Sequence, residues 1–173
     1  MRVLLSVIFL LFLSPSKAAT ITELFGDGVF GTQWGDSFET VLAKYPKAKK
    51  KNISDTIWLE IKDSRKVFDI DRNKQRLHFS FDSEMRLIGV GVTFDVDSYS
   101  TLINKLTTLF GYDFEKPNVA SSNMASTTLV WKDNETSVSV GVIPTTFGLE
   151  TMLGVGYSGL DKPESDKKSL GFN

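Results

Sequence analysis

The 173-residue chain contains no cysteine and a single histidine, His78. The first absence excludes a disulfide scaffold, a thiol nucleophile and every cysteine-ligated metal site. The second leaves no zinc or copper site of ordinary composition, since imidazole and thiolate are the ligands those ions favour. Charge of one sign is missing as well: 20 Lys and Arg stand against 21 Asp and Glu, a formal net charge of −1. With no global basic field to gather a phosphate backbone, no nucleic-acid partner is expected. Beyond the N-terminus no apolar run approaches the ~20 residues a membrane-spanning helix requires.

The N-terminal exception reads as a targeting device. Arg2 supplies a positive start, Val3–Leu13 form an apolar run of 11 residues, and Ser14-Pro15 breaks it. Ser16-Lys17-Ala18 then offers small residues at the positions a signal peptidase reads, so residues 1–18 are expected to be a cleaved signal peptide. Loss of Arg2 and Lys17 would leave 18 basic and 21 acidic residues, a net charge of −3. No cysteine follows the run to carry a lipid, and no transmembrane segment follows cleavage. The expected location is the periplasm, with secretion as the alternative.

Residues 19–35 read as an irregular arm in which Gly26, Gly28 and Gly31 have G-x-G-x-x-G spacing. A dinucleotide site needs a strand before that motif and a helix opening inside it. Neither pattern is present, so the glycines are read as turns. A helix is expected from Asp36 or Ser37, with Asp36 and Glu39 as an acidic capping box. Phe38, Val41, Leu42 and Tyr45 form its apolar face, and Pro46 ends it. Lys44, Lys47, Lys49, Lys50 and Lys51 follow as a basic run, read either as a solvated loop or as a docking patch.

Strands are expected over 56–61, 66–70, 76–82 and 86–94, the last placing Ile88, Val90, Val92 and Phe94 on one face. Asp95 and Asp97 are expected to cap the strongest helix, whose stripe is Tyr99, Leu102, Ile103, Leu106, Leu109 and Phe110. Gly111 suits its C-terminus. After a polar loop, strands are expected over 127–132, 136–143 and 149–157, and the tail 158–173 is expected to be disordered.

LHFSFDSEMRLIGVGV and LVWKDNETSVSVGV share a plan: an aromatic strand, an acidic turn, and a strand ending Val-Gly-Val. The expected fold class is therefore α+β, a single domain over 19–157. It would hold two repeated helix-plus-antiparallel-meander units, about 36–94 and 97–157. Together they would form one sheet with both helices on one face.

Gly35-Asp36-Ser37, with Val41 and Pro46, resembles the helix-opening pattern of the BamE (SmpA/OmlA) family of envelope proteins. The tandem arrangement over 35–157 is similar to the beta-lactamase inhibitory protein fold, in which two such units make one curved sheet. The chain lacks the lipid-bearing cysteine of the first and the disulfides of the second, so membrane anchorage is not carried over. The resemblance implies protein binding through the sheet face opposite the helices.

Catalytic constellations are poor. His78, Ser80 and Asp82 point from one strand face, but residues two apart on a strand stand about 7 Å apart with parallel side chains, outside triad reach. Asp69, Asp71 and Asn73 imitate the start of a calcium loop, yet Lys74 replaces its glycine and Ser80 its final glutamate. The expectation is a non-enzyme without cofactor or metal: an inhibitor, immunity or envelope-assembly factor with a protein partner. The alternative is an envelope glycan or anionic lipid bound by Trp58 and the Lys47–Lys51 cluster. The candidate binding residues are Trp58, His78, Lys49, Lys50 and Lys51; burial of Trp58 beneath the arm is the competing reading. Trp131, sharing a face with Leu129, reads as core.

Overall fold

A computed structural model of the chain describes residues 20–53, 56–72, 76–117, 127–146 and 148–161. The expected leader and residues 162–173 of the expected tail lie outside the described residues; residues 158–161, expected to be disordered, instead form a 3-10 turn, Gly159–Asp161, with the Ser158 N–H donating to the Glu135 carbonyl. The described elements are α1 (Ile21–Phe25), α2 (Phe38–Lys44), β1 (Lys49–Ile53), β2 (Thr56–Lys62), β3 (Arg76–Phe81), β4 (Leu87–Asp95), α3 (Tyr99–Phe110), β5 (Leu129–Lys132), β6 (Thr136–Thr145) and β7 (Gly148–Tyr157). All seven strands join one antiparallel sheet in the order β1-β2-β3-β4-β7-β6-β5. The fold is α+β. No helix among the described residues is long and apolar enough to cross a membrane.

Strand alternation decides what each face carries. Leu59, Ile61, Leu77, Phe79, Phe81, Val90, Val92, Phe94, Val138, Val140, Leu153 and Val155 are buried in one cluster with Val41 and Phe38 of α2, Leu102 and Leu106 of α3, and Ile21 of α1. Among the described residues the helices and the arm thus cover one face, and no helix lies on the other. Trp131 is buried in that core, as expected, and its Nε1 donates to the Gly111 carbonyl at 2.9 Å. Gly111 closes α3 with a positive φ of 81°, again as the sequence implied.

Several local expectations are corrected. The arm opens with a helix, α1, whose Thr20 and Glu23 form a full capping box. At α2 the cap is Ser37, which accepts from the Thr40 N–H; Asp36 instead accepts from the Gln33 N–H. Asp95 and Asp97 cap nothing through their side chains, because the chain enters α3 through a 3-10 turn, Val96–Ser98. The basic run is not a loop: Lys49–Ile53 is edge strand β1. Lysines on an edge strand deter pairing with a second sheet. A bulge opposite Phe81 shifts the register so that Leu87 enters the core and Ile88 does not.

Residues 66–70 are not a strand either. β2 pairs directly with β3, and 63–72 form an excursion closed by a Val67–Ile70 bridge, with Phe68 and Asp69 at φ of 53° and 58°. Arg72 fastens this excursion from inside. Its wholly buried guanidinium donates to the carbonyls of Asp63, Arg65 and Arg76 and pairs with the Asp63 carboxylate at 2.7 Å. Removing the guanidinium would leave three carbonyls without that donor, while Asp63 would keep only its contacts to Arg65. Arg72→Ala is therefore expected to destabilise by about 3–5 kcal/mol. The expected readout is a lower urea midpoint with an unchanged m-value.

Candidate functional site

The uncovered face has an unusual floor. One row of register partners across it runs Trp58, Ser80, Gly89, Gly156, Ser137. The next row runs Glu60, His78, Gly91, Gly154, Ser139. Four glycines therefore sit side by side at the centre of the sheet, with serines around them. The same segments send Val90, Val92, Leu153 and Val155 into the core, so period-two alternation of valine and glycine makes at once an apolar packed face and a face whose glycines leave room for neighbouring side chains. A Cβ on Gly89, Gly154 or Gly156 would lie 2.6, 2.7 or 3.0 Å from the hydroxyls of Ser80, Ser139 or Ser137; one on Gly91 would meet the Met152 methyl at 2.6 Å. Trp58, Ile88 and Met152 rise around this floor and enclose a shallow trough of about 270 Å³.

Polar groups in the trough are short of partners. Among the described residues the hydroxyls of Ser80, Ser137 and Ser139 make no hydrogen bond, and neither do the buried Trp58 Nε1 and His78 Nδ1. Trp58 is half-buried and meets His78 edge-on, ring centroids 5.5 Å apart. The arm does not cover Trp58, since it packs on the opposite face. His78 Nε2 lies 3.3 Å from the Thr93 hydroxyl and Nδ1 3.7 Å from Glu60, which is paired to Lys51 at 2.7 Å. Burial pushes the imidazole down to about 4, overcoming the opposing pull of Glu60, with Arg76 adding to the depression. Beside it Arg76 pairs with the fully buried Glu150.

The five candidate residues are thus divided. Trp58 and His78 are neighbours at the trough, and Lys51 reaches His78 through Glu60. Lys50 turns to the other face, its Nζ 5.3 Å from the centre of the Phe38 ring. Lys49 and Lys47 line a different cleft, near 500 Å³, at the corner between α2 and β1. The glycine floor was not singled out by sequence reasoning. Its signal was present in GVGVTF, VGV and GVGY, where valine and glycine alternate at strand period.

No catalytic arrangement assembles from the other candidates. Asp82 holds the β3–β4 turn, accepting from the N–H groups of Glu84 and Arg86 and from the Arg86 guanidinium. Asp71 pairs with Lys66 at 3.1 Å. Asn73 lies outside the described residues. Among the described residues no group of three His, Asp or Glu is placed to hold a metal ion.

No family model matches the chain, and no curated protein or solved structure matches it. The likeness to the BamE family and to the inhibitory-protein fold thus rests on sequence pattern alone.

His78 carries a pH signature. Its folded value of about 4 lies below the unfolded 6.5, so between those pH values the unfolded chain binds the extra proton. Stability is full above pH 6.5 and is lost as pH falls through that window, by at most about 3 kcal/mol. Thermal melts between pH 7 and 4.5 are expected to fall in the wild type and to stay flatter in His78→Gln. Parallel curves for the two proteins would show that His78 does not carry the effect.

Proposed function

We propose that this chain is an exported, non-catalytic protein-binding module that takes its partner on the open face of the sheet. The observation that carries this reading is the four-glycine floor edged by Ser80, Ser137 and Ser139. Glycine inside a strand weakens it, and a common reason for tolerating one is the close approach of another backbone. Gly91, Gly154 and Gly156 are half-buried beneath Met152 and the serines, and with Gly89 they keep the face low, so that a partner's main chain would approach over those small side chains. Three serine hydroxyls then supply hydrogen bonds that the folded chain does not use internally, whereas Trp58 Nε1 and His78 Nδ1 are closed off from a partner. Trp58 gives the aromatic anchor that protein interfaces favour.

In the same reading the domain is two helix-plus-meander units, about 36–94 and 97–157, that meet along β4 and β7. The mirrored pairing of Gly89-Val90-Gly91 with Gly156-Val155-Gly154 supports this arrangement. The two Val-Gly-Val strands likened in sequence, β4 and β6, lie on either side of β7. The module works in the periplasm as an inhibitor, immunity or envelope-assembly factor.

The test is capture from a cell-envelope extract with three baits: wild type, Trp58→Ala and Ser139→Arg. The arginine would lie across Gly154 and obstruct the floor without touching the core. A protein retained by the wild type should be lost from Ser139→Arg and reduced with Trp58→Ala, while melting temperatures stay close. Equal recovery on all three baits would remove the open face from consideration.

A further inference from the structure

The cleft at the α2–β1 corner is a separate matter from the trough, with which it shares no lining residue. Its cations come from five places in the chain: Lys44 at the end of α2, Lys47 in the turn after Pro46, Lys49 of β1, Lys62 of β2 and Arg76 of β3. Register pairing brings the last two together, Lys62 opposite Arg76, and sets Lys49 opposite Glu60. The fold therefore selects three lysines from the basic run and adds two cations from elsewhere. Lys50 is drawn off to the Phe38 ring and Lys51 to Glu60. Convergence from separate segments is not what a solvated charge run produces.

The charge there is uncompensated. Arg76 is paired with Glu150, and Glu60, the cleft's acid, is paired with Lys51. Lys44, Lys47, Lys49 and Lys62 have no ion pair among the described residues. Lys47, Lys49 and Lys62 line the cleft with Tyr45, Pro46 and Ile61, whereas the Lys44 ammonium lies against Gly31, outside the lining. Tyr45 is fixed in place: its hydroxyl donates to the Phe30 carbonyl at 2.6 Å and its ring packs on Phe79 at 5.0 Å. Three like charges lining one cleft in a chain of net charge −1 repel one another, and a compact polyanion relieves that repulsion.

We propose that this cleft binds a ligand carrying two or more closely spaced phosphate charges, with Lys47, Lys49 and Lys62 as its cationic cage. Lysine holds phosphate as a point charge and imposes no planar geometry, so recognition is of charge density. Its affinity falls steeply with salt, because the lysines are exposed.

Titration calorimetry with tripolyphosphate at low ionic strength tests the site, and flotation with phosphatidic acid vesicles distinguishes a lipid headgroup from a free phosphate. Wild type should bind tripolyphosphate, and Lys47→Glu/Lys62→Glu should weaken it by about tenfold or more. Lys105→Glu/Lys116→Glu, with the same net charge change away from the cleft, should bind as wild type does. Vesicle binding that tripolyphosphate displaces would place the phosphates on a lipid, and tripolyphosphate binding alone would place them on a soluble ligand. Absence of binding to either probe, full binding by the cleft pair, or equal weakening in both pairs would overturn the proposal.

Discussion

The pairing of β4 with β7 is the contact on which the rest of the molecule depends. It is the seam where the strands before α3 join those after it, and it lies at the centre of the sheet order. Along it Gly89-Val90-Gly91 runs against Gly156-Val155-Gly154, so like meets like at each register position. Because side chains alternate between faces, the valines that fill the core oblige the glycines to face outward. A one-residue slip would put glycine in the core and valine on the open face, and the buried face holds the register against that. Packing and the glycine face are thus two consequences of one register.

This arrangement is not what stability alone would choose. Glycine lowers strand propensity and forgoes cross-strand side-chain contact. Next to the floor, His78 is buried in its neutral form and Glu150 is buried with Arg76, two groups whose desolvation is unfavourable unless fully paired. The opposite face holds a continuous apolar cluster fed by three helices and the arm. One face supplies the stability, and the other carries features that weaken the fold.

Legibility in the sequence followed the strength of the hydrophobic period. α3 declared itself through Leu102 and Leu106, and β3 through Leu77, Phe79 and Phe81, all of them buried. Elements whose stability comes from a neighbour did not show. β1 reads Lys-Lys-Lys-Asn-Ile; it is a strand because β2 supplies its hydrogen bonds and Phe38 receives the side chain of Lys50. Val67 to Ile70 has strand-like residues, but Arg72 ties the carbonyls of Asp63 and Arg65 inward, and Phe68 and Asp69 reverse the chain instead. The α1 helix did carry a readable signal, Thr20-Ile21-Thr22-Glu23, the pattern of a capping box. Its length of five residues gave periodicity nothing to act on.

The candidate surfaces were legible one strand at a time and no further. Parity placed Trp58 away from the apolar residues of β2 and His78 away from those of β3, and both predictions agree with the faces observed. What parity cannot supply is which residue stands across the gap between strands. That depends on the excursion between β2 and β3, whose length conceals the pairing of Trp58 with Ser80 and of Lys62 with Arg76. The basic run illustrates the same limit: five lysines close in sequence are dispersed by an edge strand to both faces and to a corner. In a sheet, proximity along the chain sets the face and proximity in space sets the site. The trough and the cationic cleft both arise from the second.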